Sequence, residues 1–99
     1  MDMDALMAQA SELQTKVADA QEKLAGMRVK GIAPNGACII DMSGKYDIIG
    51  VKISPDTIAQ GASATEAAVL SAMRDAKTKA DTLIDDVMAD ATAGMPIPR

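Results

Sequence analysis

Apolar residues near the start of the chain recur at alternating steps of three and four: Met3, Leu6, Ala10, Leu13, Val17, Ala20, Leu24 and Met27. Polar residues fill most positions between them, and neither Gly nor Pro interrupts the pattern before Gly26. A heptad seam on a background of Ala, Gln, Glu, Lys and Leu predicts an amphipathic helix over about residues 2–25. At ~1.5 Å per residue such a helix is roughly 37 Å long. A compact domain of this size has a radius of gyration of only ~13 Å, so the helix is expected to overhang its own domain.

The texture then changes. Val29 and Ile32 lead into Pro34-Asn35-Gly36, where Asn-Gly supplies the left-handed backbone of a tight turn. The run 37–42 is bounded by a second turn signal, Ser43-Gly44, and is followed by 46–53, with Ile49, Val51 and Ile53 expected on one face and Lys52 on the other. Three short strands in an antiparallel meander are predicted, ended by Ser54-Pro55 because Pro cannot donate to a ladder. Residues 56–62 read as a connector, and Ser63-Ala64-Thr65-Glu66 has capping-box spacing. Beyond it Val69, Met73, Ala76, Ala80, Leu83 and Val87, widened by Leu70, Ile84 and Ala91, predict a second long helix over about residues 65–92. Gly94, Pro96 and Pro98 are placed to stop it. The fold class is α+β in the order α-β(3)-α, with one domain over residues 1–93 and a loose tail at 94–99. A three-stranded sheet cannot cover two long amphipathic helices within one small chain, so a homodimer is expected.

Composition sharpens this. Of 99 residues, 48% are hydrophobic and 24% charged, with Tyr46 the sole aromatic and eight Met. Small and flexible apolar side chains suit closely packed helices better than a sandwich core. The chain has no His, which excludes Ser-His-Asp and Cys-His nucleophiles and His-ligated zinc or haem. A lone Cys38 closes no internal disulfide and builds no thiolate metal site; it reads as a small buried hydrophobe in a reducing compartment. No metal, cofactor, small-molecule substrate or catalytic activity is expected. Two Asp within the first four residues, no basic apolar leader and no apolar run near ~18–20 residues point to a cytoplasmic protein without a membrane partner. A net charge of −4 does not by itself favour phosphate ligands, although a local basic stripe is compatible with it.

The ordered motifs resemble the YbaB/EbfC family of bacterial nucleoid-associated proteins. Leu6-Met7-Ala8-Gln9-Ala10, Gln14-Thr15-Lys16 and Gln21-Glu22-Lys23-Leu24-Ala25 resemble its first helix, and Val29-Lys30-Gly31 its first strand. Gly36 stands at its Gly-containing turn, Ser43-Gly44 where Asn-Gly is usual, and Val51-Lys52-Ile53-Ser54-Pro55 at its strand end, with Ser54 for the usual Asp. Ala72-Met73-Arg74-Asp75-Ala76 resembles the second helix and Gly94-Met95-Pro96-Ile97-Pro98 the tail. The segment Tyr46-Asp47-Ile48-Ile49-Gly50 lacks basic residues that some members carry, and Gln60-Gly61-Ala62 is short and less acidic than is common. The resemblance implies a tight homodimer with projecting helical arms, duplex DNA as partner with little sequence preference, and a role in nucleoid organisation or gene regulation.

Candidate DNA contacts follow from spacing. Gln9, Lys16 and Lys23, seven apart, form a rail beside the seam of the first helix, where Glu12→Lys16 and Asp19→Lys23 are also ordinary i,i+4 pairs. Arg74, Lys77 and Lys79 cluster on the second long helix, diluted by Asp75 and Asp81. Asp85, Asp86 and Asp90 read as a solvated face rather than a metal site. Arg28, Lys30, Lys45 and Lys52 lie on or beside the sheet and extend the patch, and Arg99 sits on the tail. The alternative to DNA is a protein-interaction module whose Met/Ala/Leu-rich arms recruit a partner helix.

Overall fold

A computed structural model describes residues 3–93. Helix α1 runs Met3–Gly26, followed by strand β1 (Arg28–Ile32), a single 3₁₀ turn (Pro34–Gly36), β2 (Cys38–Ser43) and β3 (Ile48–Ile53). A short helix α2 (Pro55–Ala59) and a long one, α3 (Ala62–Ala91), complete the chain. The α+β class and the three-stranded antiparallel meander, in order β1-β2-β3, are as the sequence pattern indicates. The proposed tail, with Gly94, Pro96 and Pro98, lies outside the described residues.

Three local readings are corrected. The connector contains α2, because Ser54 stands at the N-cap position and Pro55 in the first turn, where its missing N–H costs nothing. The capping box does not form: α3 begins at Ala62 after Gly61 at φ +108°, a conformation that favours glycine, and Ser63 lies inside the helix. No side chain caps this end; Thr65 Oγ1 donates back to the Gly61 carbonyl at 3.0 Å, a bond within the first turn. Third, a bulge beside Asp41 and Met42 breaks the alternation of β3. Ile48 pairs with Met42 and Gly50 with Asp41, which leaves Ile49 as the extra residue, out of register with Val51 and Ile53.

Two cores hold the molecule. In the first, Cys38, Ile40 and Met42 of β2 pack under an alanine ladder on α3: Ala68, Ala72, Ala76 and Ala80. Of the line the periodicity favoured, Ala76, Ala80 and Val87 are buried and Val69 packs against the core, but Met73 is 39% exposed, and Ala68 and Ala72 complete the buried face in its place. Small side chains let the helix axis lie close to the sheet, and Gly31 shows how close. A Cβ there would collide with the Ala72 carbonyl and stand 2.5 Å from the Ala76 Cβ.

The second core joins Ala20 and Leu24 of α1 to Val87 of α3, with Leu83, Ile84, Met88 and Ala91 around them. The β2–β3 turn anchors this helix end, the Gly44 N–H donating to the Leu24 and Met27 carbonyls at 3.0 and 3.1 Å. Because α1 meets α3 only through its C-terminal half, residues 3–12 are exposed throughout. The radius of gyration is 19.1 Å and the longest dimension 67 Å, so α1 overhangs as its length required.

Candidate nucleic-acid interface

The α1 rail is divided by this geometry. Gln9 lies on the free part of the arm, exposed. Lys16 and Lys23 come together with Asp19, Ala20, Val87, Asp90 and Ala91 around a cleft of about 320 Å³ between the two long helices. Two ammonium groups thus share that cleft with two carboxylates. Lys16 also pairs with Glu12 at 3.7 Å, whereas the Asp19–Lys23 pair is not formed.

The α3 cluster separates to two flanks. Arg74 and Lys77 edge an almost wholly apolar cleft of about 370 Å³ with Met42, Tyr46, Ile48 and Met73. Lys77 pairs with Asp81 at 3.3 Å, and Asp81 also accepts the hydroxyl of Tyr46. That bond, then the Lys77 ammonium, hold the Asp81 carboxyl below its ordinary range, while the same bond raises the Tyr46 phenol. Tyr46 is itself held at φ +66°, in the left-handed region that favours glycine.

Lys79 lies on the opposite flank, towards β1. Its ammonium donates to the Lys30 carbonyl at 2.8 Å and pairs with Asp75 at 2.9 Å, while Asp75 accepts the Ile32 N–H at 2.8 Å. The Ile32 N–H, then Lys79, hold the Asp75 carboxyl below its ordinary value. These two side chains satisfy backbone groups along the outer edge of β1, so that edge is closed to another strand. Sequence reasoning missed the clamp, although Asp75 and Lys79 stand at i,i+4.

Strand β3 has no such cover. Ile48, Ile49 and Val51 are 50%, 46% and 54% exposed, and Leu70 and Met73 expose apolar surface on α3. Cys38 is fully buried, and burial pushes its thiol pKa up, which keeps it inert. Among the described residues no group of three or more His, Cys, Asp or Glu is placed to hold a metal ion, and no helix is long and apolar enough to cross a membrane.

An overhanging helical rod, an alanine-packed second rod and one open strand edge define an elongated α-β(3)-α chain built around long helices. The chain belongs to the YbaB/EbfC DNA-binding family, whose model matches residues 1–95. It is 32% identical to a nucleoid-associated protein of Rhodospirillum rubrum over 94% of this chain and 88% of the relative. It is 36% identical to another of Anaeromyxobacter dehalogenans over 99% and 96%. The fold is shared with a solved protein of Helicobacter pylori, at a TM-score of 0.80 and 13% identity, over 91% of this chain and 96% of that one.

Proposed function

We propose that this protein is a cytoplasmic, nucleoid-associated homodimer that binds duplex DNA with little sequence preference and catalyses no reaction. Membership of a DNA-binding family carries the reading, and the relatives' names point the same way. The geometry supports a clasp. With the β1 edge closed by Asp75 and Lys79, the open β3 edge and its exposed Ile48 and Val51 are the surface on which a second copy pairs. Each copy then contributes an α1 arm to the assembly.

Cations on the rods meet phosphates: Lys16 and Lys23 beside the interhelical cleft, Gln9 further out as an uncharged donor, and Arg74 on α3. Lys77 and Lys79 join them at the cost of their present partners, so their contribution is smaller. Contacts of this kind carry no base readout and release counterions, which makes affinity steeply salt-dependent.

The exposed Met3, Leu6 and Met7 of the free arm favour the rival reading, recruitment of a partner helix. Electrophoretic mobility-shift titration of a duplex decides between them. Binding at low salt that weakens at moderate salt, and further in Lys16→Glu/Lys23→Glu with the dimer intact, supports DNA. A dimer that leaves the duplex unshifted even at low salt refutes it.

A further inference from the structure

The charges of this chain are sorted by layer. The sheet and its turns, residues 28–53, carry Arg28, Lys30, Lys45 and Lys52 against Asp41 and Asp47. Helix α1 carries two cations against four carboxylates, and α3 three against six. Both long helices are therefore acidic, and the positive potential of a chain with net charge −4 resides in the sheet.

The register sorts the cations again. Residues directly opposed in an antiparallel pair share a face. Val29–Met42, Gly31–Ile40–Val51 and Cys38–Ile53 make the face under α3, because Cys38, Ile40 and Met42 are buried there. The alternate set, Arg28–Ser43, Lys30–Asp41–Gly50 and Ile32–Ile39–Lys52, points the other way. Helix α3 lies across one face of β1 and β2, and α1 meets the sheet at the β2–β3 turn, while Arg28, Lys30 and Lys52 are exposed on the opposite face. The ion pairs among the described residues hold Lys16, Lys77 and Lys79; none holds Arg28, Lys30 or Lys52.

Gly50 keeps this face low. Its φ lies outside the left-handed region, and an added Cβ would meet only Asp41 Oδ2, at 3.8 Å. Neither backbone conformation nor internal packing demands glycine there, which leaves room for a ligand to approach the strand closely.

We infer that the open face of the sheet is a phosphate-contacting surface for duplex DNA, with Arg28, Lys30 and Lys52 as its cations. It lies on the side of the sheet away from α3 and rests on the DNA reading above. Lys30 and Lys52 sit on strands flanking β2, two residues out of step, so their backbones are about 12 Å apart and the two meet different phosphates. Asp41 lies between β1 and β3 on the same face, with Oδ1 occluded and unpartnered among the described residues. Its charge opposes the ligand, so removing it has the opposite sign to removing the lysines.

Fluorescence anisotropy with a labelled 30-base-pair duplex, across a range of salt concentrations, separates this surface from the helical rail. Three forms are compared with the full-length wild type: Lys30→Gln/Lys52→Gln, Lys16→Gln/Lys23→Gln, and Asp41→Asn. The two double variants remove equal charge, so any difference between them reports location. The expected result is a loss of affinity of about tenfold or more in the sheet variant, with the slope of log K against log salt falling by about 0.9 for each phosphate no longer neutralised. Asp41→Asn is expected to bind several-fold more tightly. Circular dichroism confirms that each variant is folded. A folded sheet variant within twofold of wild type, with weakened binding confined to the rail variant, overturns the inference and leaves the DNA reading intact. A wild type that binds no duplex at low salt removes both.

Discussion

At the scale of single residues, Gly31 sets how the sheet meets its helix. The Ala72 carbonyl and the Ala76 methyl occupy the space a side chain would take, and both belong to an alanine ladder with nowhere to withdraw. Gly31→Ala therefore forces α3 off β1 and is expected to cost more than about 3 kcal/mol, read as a lowered urea midpoint. A variant within about 1 kcal/mol of wild type would mean the helix is free to lift.

Asp75 acts at the same scale through its charge. The Ile32 N–H and Lys79 hold its carboxyl below 3.8 in the folded protein, and unfolding returns it to the ordinary value. Its contribution to stability is thus fully present above about pH 4 and lost as pH falls through the lowered value. Solvent screening keeps the effect modest. Thermal melts from pH 7 downward should show a steeper acid-side decline for wild type than for Asp75→Asn; parallel curves would contradict the clamp.

Elements show what the chain's pattern made readable. The α1 seam is continuous over eight positions, so both helix and overhang were legible. On α3 the seam was right at Ala76, Ala80 and Val87 and misdirected at Met73. The glycine in β1 brings the helix close enough that the small Ala72, not the larger Met73, faces the sheet. The bulge at Ile49 was missed because the alternation of Ile49, Val51 and Ile53 around Lys52 looked regular, and the one local signal, Gly50 inside the strand, was not read as a slip in pairing. The Glu12–Lys16 pair was legible from its i,i+4 spacing, but the engagement of Lys79 was not, since only the packed fold brings it to β1. One consequence is measurable. Leu24, 3% exposed, anchors α1 to α3, and Leu24→Ala is expected to cost about 2–5 kcal/mol in chemical denaturation. Its amide exchange should also quicken along α1 before it quickens in the sheet. Uniform quickening would argue against two separate cores.

The whole molecule is long, thin and electrically layered, 67 × 22 × 16 Å with acidic rods and a basic sheet. One strand edge is clamped and the other is open and apolar. That asymmetry limits edge pairing to a single mode and so favours a closed pair over a filament. The pairing sets the separation of the arms, and with it how a duplex is held. Sedimentation equilibrium of the full-length protein, alone and with a short duplex at two salt concentrations, tests this most directly. The expected result is a species of twice 10.2 kDa that takes up duplex at low salt and releases it at high salt. A 10.2 kDa species, or a dimer that leaves the duplex sedimenting alone at low salt, would contradict it.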